Sequence, residues 1–197
     1  MSITGIITET SKGLQTTSLE DEFLRNRIIF FNQSVNSESC NELIQKLMFL
    51  DQQDDKEVTI FINSPGGEVK SGFAVYDFIR LMRSPVRTVC TGICASMAAI
   101  LFLAGTKREM LPHTEIMLHD PSYGNADISG VKPNRIKEML EDLIKLRDET
   151  VNLISERTGI NVSDVYKITE KDTYFKAKEA VKCGIATGII TELYPQN

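Results

Sequence analysis

Short apolar runs alternate along the chain with segments whose apolar residues recur every three or four positions. The runs RIIFF at residues 27–31 and VTIFI at residues 58–62 are rich in β-branched and aromatic side chains, which is typical of buried strands. Residues 39–50, between them, have apolar side chains at helical spacing. The three segments predict a strand, a helix and a second strand parallel to the first, because parallel strands need a crossover between them.

The same alternation continues through the middle of the chain. The patterns predict helices over residues 72–82 and 96–104, and strands over residues 86–91 and 114–118. A chain that alternates in this way favours an α/β fold, in which helices pack on a mainly parallel sheet.

One longer helix is predicted over residues 132–157, where apolar residues recur at intervals of three and four. Gly159 follows it as a usual stop signal, and shorter helices are predicted over residues 163–168 and 176–182. The long helix would span about 37 Å, close to the diameter of a small domain. We therefore expect part of it to project and to pack against another chain; the alternative is a helix that lies wholly across the sheet.

Length and composition fit one compact domain, since the 197 residues are 42% hydrophobic and 25% charged. The net charge is −5 and no long Lys or Arg run is present, which argues against a nucleic-acid or anionic-membrane partner. The longest apolar run, residues 97–104, is far shorter than a membrane helix, and the first residues show no leader pattern. We expect a soluble cytoplasmic protein in which residues 1–19, rich in Thr, Ser and Gly, are mobile.

Four cysteines, at positions 40, 90, 94 and 183, lie among ordinary apolar residues. They lack CxxC spacing, and only two histidines could act as further ligands. We therefore expect reduced, buried thiols and no metal site. Cys94 lies two residues before Ser96, which raises the alternative of a redox switch, although a small buried thiol in a packed turn is the commoner case.

Ser96 lies where a strand that ends near Gly92 gives way to the next helix. A serine at a helix start is most often an N-cap, whose side chain accepts a backbone hydrogen bond. It can instead be a nucleophile, because the free N–H groups of a helix start, here that of Met97, can stabilise an oxyanion. The second role requires a base and a second oxyanion donor.

Two histidines are candidates for the base. His113 comes at the start of a strand and is expected to be structural. His119 follows the strand segment EIML, at the carboxyl edge where α/β folds gather their sites, although a lone histidine there is more often a satisfied polar residue. The break SPGG at residues 64–67 offers the second donor, since a substrate carbonyl could approach the N–H of Gly67 without meeting a Cβ. Most such breaks are merely turns.

Several stretches taken together resemble the proteolytic subunits of Clp proteases: INSPGG at 62–67, TGICASMAA at 91–99, MLHDP at 117–121 and TEKDTYFKAKEA at 169–180, with TSKG at 10–13 and RIIF at 27–30. The resemblance covers most of the chain. It implies a single domain over residues 1–197, with a crotonase-like α/β fold of repeated ββα units. Its parts would be a mobile axial segment at 1–19, a head at 20–120 and 160–197, and a protruding handle at about 121–159.

The resemblance also implies roles for individual residues. Ser96 would be the nucleophile, His119 the general base and Asp172 the carboxylate that orients the imidazole. Asp172 rests on the resemblance alone, because the sequence contains many other acids. The oxyanion donors would be Gly67 and Met97. Substrate would lie extended between two segments, made of Glu68, Val69 and Lys70 on one side and Pro121, Ser122 and Tyr123 on the other.

The activity that the resemblance implies is that of a serine endopeptidase acting on unfolded polypeptides. Its members form two stacked heptameric rings, a tetradecamer, that enclose the active sites. An AAA+ Clp ATPase unfolds the substrates and uses the ATP, so this chain would need no cofactor of its own.

Four positions depart from the family pattern. Two are segments: HDPSYGNADISGVKPNR at 119–135 replaces a Gln-Pro and Gly-rich strand, and SLEDEFL at 18–24 replaces YDIYSRLL. Two are single residues: Lys171 stands where Arg is common, and Thr187 replaces an Asp. Lysine lacks the planar fork with which arginine binds an acid across an interface. We hypothesise weaker or altered self-assembly, so that the chain needs a paralogous subunit or its ATPase; ordinary drift in a self-sufficient protease is the alternative.

Two other function classes stay open. One is a structural ring subunit that does not catalyse, because the alignment of a triad can depend on assembly. The other is an acyl-CoA lyase or hydratase on the same fold. The set of Ser96, His119 and Asp172 argues against it, since those enzymes combine backbone oxyanion donors with carboxylates and need no serine at that helix start.

Overall fold

The computed structural model of the protein describes residues 5–10, 13–124 and 129–192. Parts of the predicted axial segment (1–4 and 11–12), handle (125–128) and head (193–197) lie outside the described residues. The strands are β1 Gly5–Thr10, β2 Gly13–Ser18, β3 Ile28–Phe31, β4 Val58–Ser64, β5 Val86–Ala95, β6 Lys107–Met110, β7 Glu115–Leu118, β8 Thr173–Lys176 and β9 Gly188–Ile189. The helices are α1 Leu19–Arg25, α2 Ser37–Gln53, α3 Val69–Leu81, α4 Met97–Ala104, α5 Pro133–Thr158, α6 Val162–Thr169 and α7 Ala177–Lys182.

A seven-stranded sheet forms the centre of the fold. Its parallel strands run in the order β3-β4-β5-β6-β9, while β7 pairs in parallel with the end of β5 and β8 pairs antiparallel with β7. The predicted α/β fold with a mainly parallel sheet is therefore confirmed. Besides its pairing with β4, the ten-residue strand β5 pairs with two strands: its first half pairs with β6, and residues 93–95 pair with β7.

Helix α4 lies in the middle of the core, where all eight of its residues are buried. That burial explains its composition, since a helix that is apolar on every side must be enclosed on every side. It packs against α3 and β5. Ser96, the residue that joins β5 to α4, is thus attached to the most enclosed helix of the fold.

Some element boundaries differ from the predictions. Strand β5 continues to Ala95 instead of ending near Gly92, because residues 93–95 pair with β7. Helix α3 begins at Val69, three residues before the predicted start. The hairpin of β1 and β2 falls within residues 1–19, where the sequence analysis predicts no element. The divergent segment SLEDEFL forms most of α1, whose N-cap Ser18 accepts a hydrogen bond from the backbone of Asp21.

Helix α5 matches the predicted long helix to within one residue at each end. It stops at Gly159, whose φ of 79° is left-handed and whose N–H donates to the carbonyl of Ser155. Only Val151 and Ile154 of this helix are buried. Its other half carries three exposed apolar residues, Ile136, Leu140 and Ile144. The helix therefore protrudes from the core of its own chain, as predicted.

No described helix combines the length and the apolar character that crossing a membrane requires.

Candidate active site

Ser96 forms a sharp turn between β5 and α4. Its φ of 53° and ψ of −124° lie in a region that side chains rarely adopt, and Arg27 is the one other described non-glycine residue with a positive φ. The hydroxyl makes no capping hydrogen bond to α4, although the residue occupies the N-cap position. The N-capping interpretation of Ser96 is therefore wrong. Strained backbone of this kind is concentrated at functional sites, where the surrounding structure enforces it.

The turn is held from two sides. The N–H of Ser96 donates to the carbonyl of Met117 on β7 at 2.9 Å. On the other side lies Gly66, where an added Cβ would be 2.5 Å from the carbonyl oxygen of Ala95 and 2.8 Å from the Cβ of Ser96. The absence of a side chain at Gly66 is thus what lets the SPGG segment pack directly on the serine turn.

His119 follows β7 and reaches the serine. Its Nε2 lies 2.7 Å from the Oγ of Ser96, a normal length for a hydrogen bond between them. Strand β7 carries it there because it lies beside residues 93–95, at the end of β5. The other histidine, His113, is exposed in the connection between β6 and β7 and takes no part in this contact.

Asp172 completes the cluster, and β8 explains how. Thr173 on β8 pairs with Leu118 on β7, so the residues that flank this pair, Asp172 and His119, are brought together. The Oδ1 of Asp172 lies 3.3 Å from the Nδ1 of His119. This separation is longer than the roughly 2.7–2.9 Å of a charge-assisted hydrogen bond. The side chain of Asp172 is 61% exposed, against 27% for His119, and its neighbour Lys171 is also exposed.

Gly67 is a predicted oxyanion donor, and its contact with Val35 is one reason why it has no side chain. A Cβ at Gly67 would stand 2.1 Å from the carbonyl oxygen of Val35, and its φ is 146°. Val35 in turn bonds both neighbours of this glycine, since its N–H donates to Gly66 and its carbonyl accepts from Glu68, each at 2.8 Å. The glycine therefore makes room for Val35. That it also lets a substrate carbonyl approach stays a prediction. Whether its N–H serves an oxyanion stays a prediction.

The second predicted donor, the N–H of Met97, belongs to the first residue of α4. The first N–H groups of a helix have no partner within the helix, so this donor faces outward from the helix end. A Cβ at Gly66 would lie 2.9 Å from the nitrogen of Met97, which shows that the SPGG segment and the start of α4 meet at one point.

The predicted substrate-flanking segments differ in conformation. Glu68 is extended, but Val69 and Lys70 form the first turn of α3, so that side is extended over only one of its three residues. This corrects the expectation of a strand-like edge there. Pro121 and Ser122 on the other side are outside any helix or strand. So is Tyr123, whose hydroxyl donates to the carbonyl of Met139 on α5 at 3.3 Å.

A small cleft of about 30 Å³ opens beside the serine and the histidine. The two residues share this cleft with apolar side chains and one threonine: Val69, Met97, Ile100, Leu118, Pro121, Thr150 and Ile154. Thr150 and Ile154 come from α5, and no sequence signal assigns them to the site. A larger cavity, of about 610 Å³, lies elsewhere, between α1, β3 and α2.

A polar cluster lies on α5 and α6, near the end of β7. The hydroxyl of Tyr166 donates to the Oδ1 of Asp148 at 2.8 Å, and this hydrogen bond, with those from Arg147, lowers the pKa of the Asp148 carboxyl. The Arg147 guanidinium also lies 5.1 Å from the centre of the Tyr166 ring. Asp120, next to His119, donates its N–H to the carbonyl of Thr169, while its buried Oδ1 has no hydrogen-bond partner among the described residues.

No group of three or more His, Cys, Asp or Glu side chains within residues 5–10, 13–124 and 129–192 is placed to hold a metal ion.

A strained serine at a strand-to-helix turn, a histidine directly after β7 and an acid directly before β8 form the arrangement that serine hydrolases use. The family model described as Clp protease matches residues 11–193. The chain therefore belongs to the Clp protease family, which confirms the resemblance. Membership makes it a peptidase of the Clp type, a kind of serine peptidase that works in oligomeric assemblies with Clp ATPases.

Proposed function

We propose that the chain is the proteolytic subunit of an ATP-dependent Clp protease, a serine endopeptidase that hydrolyses unfolded polypeptides. The observation that carries the proposal is the 2.7 Å contact between the Oγ of Ser96 and the Nε2 of His119, made by a serine that is strained and does not cap its helix. The family match supports a peptidase over an acyl-CoA enzyme on a similar fold.

In the first half of the reaction, the Oγ of Ser96 attacks the carbonyl carbon of the peptide bond while its proton passes to the Nε2 of His119. The carbonyl oxygen becomes an oxyanion, to which the N–H groups of Gly67 and Met97 donate. As the C–N bond breaks, His119 returns the proton to the leaving amine. An ester of Ser96 with the N-terminal fragment remains.

In the second half, a water molecule attacks the ester and His119 takes its proton. The tetrahedral intermediate uses the same oxyanion donors. Its collapse breaks the ester bond, releases the fragment as a carboxylic acid and returns the proton to Ser96. Asp172 stays ionised throughout: it accepts the N–H of the His119 Nδ1 and stabilises the imidazolium that forms in both halves.

Substrate binding uses the backbone on both sides of the serine. Glu68 is extended and Pro121 lies outside any helix or strand, and we place the substrate main chain between these two residues. The apolar side chains that line the cleft beside Ser96 then contact the side chain that precedes the cleaved bond. Recognition of the backbone and of one apolar side chain gives broad specificity, which suits an enzyme that degrades unfolded chains.

Assembly supplies the rest of the proposed function. We propose a cytoplasmic tetradecamer of two heptameric rings, fed by an AAA+ ATPase, in which this chain itself uses no cofactor. The half of α5 that leaves the core, with Ile136, Leu140 and Ile144 exposed, is the surface that supports a ring-to-ring contact.

A second candidate is a subunit that becomes active only beside a paralogous subunit or the ATPase. The exposure of Asp172 and its 3.3 Å separation from His119 favour it, because a triad completed by a partner would look like this in a single chain. Lys171 in place of the usual arginine is a further reason.

The test is covalent labelling of the purified chain with a fluorophosphonate, read by intact mass. Ser96→Ala tests the nucleophile, and Ser163→Ala, which removes an exposed serine on α6, is the control. We expect one adduct, lost in Ser96→Ala and retained in Ser163→Ala. If the chain is unlabelled alone but labelled at Ser96 when mixed with the ATPase or a paralogue, the second candidate is correct. Labelling that survives Ser96→Ala overturns the assignment of the nucleophile.

A further inference from the structure

Two buried cysteines lie close together behind the serine turn. Cys90 and Cys94 are both on β5 and both have 0% exposure. Residues four apart in a regular strand are separated by about 13 Å. Strand β5 is irregular here: Cys90 pairs with Ile62 and Cys94 with Ser64, so four residues of β5 cover the length of two residues of β4. That length is about 6.6 Å, within the roughly 4.4–6.8 Å between the Cα atoms of a disulfide.

Each of the two thiols contacts a carbonyl oxygen that lies opposite the other cysteine or its neighbour. The Sγ of Cys94 lies 3.7 Å from the carbonyl oxygen of Ile62, which is the residue paired with Cys90. The Sγ of Cys90 lies 3.5 Å from the carbonyl oxygen of Glu115, which is paired with Ile93, the neighbour of Cys94. Each thiol therefore points toward the other's position.

We propose that Cys90 and Cys94 are a modification site, at which a peroxide converts the two thiols into a reversible disulfide. Residues 91–93, between the two cysteines, are partly exposed. Only this stretch of backbone separates the thiols from solvent, and hydrogen peroxide is small enough to reach them through it. The two thiols are chemically unequal. The hydrogen bond from Cys94 lowers the pKa of Cys90, whereas burial raises the pKa of Cys94. Cys90 is thus the thiol that reaches the reactive thiolate form more readily.

The chemistry balances with peroxide as the oxidant. The Cys90 thiolate attacks one oxygen of hydrogen peroxide, which forms a sulfenic acid and releases hydroxide. The thiol of Cys94 then attacks the sulfenic sulfur. The S–S bond forms, the S–O bond breaks, and the proton of Cys94 leaves with the hydroxyl as water. Over both steps two thiols are oxidised and one peroxide is reduced to two water molecules.

The position of the pair gives the disulfide an effect on the serine, and this step rests on the proposed function. Only Ala95 separates Cys94 from the strained turn at Ser96, whose backbone is held by Met117. On the neighbouring strand, Ser64 pairs with Cys94 and its Oγ accepts the N–H of Gly66, at the start of the loop that packs on the turn. A bond between the two sulfurs draws Cys94 along β5 and shifts both supports. The Ser96 Oγ then leaves hydrogen-bonding distance of its base.

The experiment counts thiols in the full chain. Reduced protein is freed of reductant, exposed to hydrogen peroxide, denatured and treated with N-ethylmaleimide, and its intact mass is measured. The four cysteines of the untreated chain take four maleimides. After peroxide we expect two maleimides, a mass lower by two hydrogen atoms and a peptide map that joins Cys90 to Cys94. Dithiothreitol should restore all four sites.

Matched variants isolate the pair. Cys40→Ala removes a cysteine that is equally buried but lies on α2, and it should still form the Cys90–Cys94 bond. Cys94→Ala and Cys90→Ala should each leave every remaining thiol free of disulfide. The proposal is overturned if the wild-type chain keeps four alkylated thiols, gains oxygen atoms at Cys90 without a crosslink, or joins either residue to Cys40 or Cys183.

The effect on Ser96 is read separately, by fluorophosphonate labelling. We expect labelling to fall at least fivefold in the oxidised wild-type chain, to recover on reduction and to stay unchanged in peroxide-treated Cys94→Ala. A disulfide that leaves labelling intact overturns the link to Ser96. A reduced chain that is labelled neither alone nor when mixed with the ATPase or a paralogue contradicts the proposed function, and the thiol count still decides whether the disulfide forms.

Discussion

The Nδ1 of His119 lies 3.3 Å from the Oδ1 of Asp172, although 61% of the Asp172 side chain is exposed. On the other side of the ring, the Nε2 of His119 is only 2.7 Å from the serine Oγ. The histidine is therefore held more closely by its nucleophile than by its carboxylate. An acid in this exposed position orients the imidazole weakly in the single chain, so the strength of the contact should depend on what covers Asp172.

Asp172→Asn tests the role of the carboxylate. The amide keeps the shape but favours the wrong tautomer of His119, and we expect kcat for a short peptide to fall about 10²–10⁴-fold with little change in KM. Asp164→Asn, at an exposed acid paired with Lys167 on α6, is the control and should leave kcat unchanged. A loss smaller than threefold in Asp172→Asn would assign the orienting role to another residue.

Gly66→Ala tests the packing of the SPGG segment on the serine turn. The new Cβ would meet the carbonyl oxygen of Ala95 at 2.5 Å, on a backbone whose φ is 89°. We expect labelling at Ser96 to fall at least tenfold and the free energy of unfolding to fall by about 2–4 kcal/mol, from strain and overpacking together.

Gly159→Ala separates these two costs. Its φ of 79° is similar, but nothing lies within 4 Å of its new Cβ, so it should cost only the backbone term of about 1–2 kcal/mol and leave labelling intact. Chemical denaturation and fluorophosphonate labelling of both variants make the comparison. Equal effects of the two substitutions would mean that the close approach at Gly66 has no influence on the site.

Much of the fold could be predicted from periodicity, because the long elements carry complete patterns. Helix α5 has seven turns in which to show its spacing, and β4 is a run of apolar residues with a buried alternate face. The missed strands β6 and β8, with sequences KREM and TYFK, have four residues each and the composition of a surface segment. Such strands form because a neighbouring edge offers hydrogen bonds, and that edge is set by the tertiary fold.

The candidate site shows the same division. Ser96 and His119 could be chosen locally, because Ser96 begins a predicted helix, His119 follows a predicted strand and each has a group suited to chemistry. Asp172 could not, since only the antiparallel pairing of β8 with β7 selects it from the other acids. The reason for a glycine at position 67 was equally inaccessible, because the atom that excludes a Cβ belongs to Val35, far away in the sequence.

The apolar cleft beside the serine predicts a preference at the cleaved bond. A charged side chain placed among Val69, Ile100 and Leu118 would lose its hydration without gaining a partner, a cost of several kcal/mol. Peptides with Leu, Met or Ala before the cleaved bond should therefore have kcat/KM at least tenfold higher than those with Asp, Glu or Lys. A matched peptide series that differs at this one position measures the ratio. Equal rates across the series would show that this side chain does not enter the cleft.

The Tyr166–Asp148 hydrogen bond predicts a pH-dependent contribution to stability. Two hydrogen bonds lower the pKa of the Asp148 carboxyl below its ordinary value of 3.8: the one from the tyrosine hydroxyl has the larger effect, and the one from Arg147 the smaller. A carboxyl whose pKa is lower in the folded state stabilises the fold above the unfolded pKa, and it loses that contribution as the pH falls through the folded pKa. Tyr166→Phe keeps the ring beneath Arg147 and removes only the hydroxyl.

In Tyr166→Phe we expect the pKa of Asp148 to rise toward 3.8 and the acid unfolding midpoint to move to higher pH. The difference in unfolding free energy from the wild-type chain should be constant above about pH 5 and shrink below pH 4. Tyr123→Phe is the control, since its hydroxyl donates to the Met139 carbonyl and not to a carboxylate, so its effect should not vary with pH. Carbon-13 shifts of the Asp148 carboxyl report the pKa directly. An unchanged titration in Tyr166→Phe would show that Arg147 alone holds the carboxylate ionised.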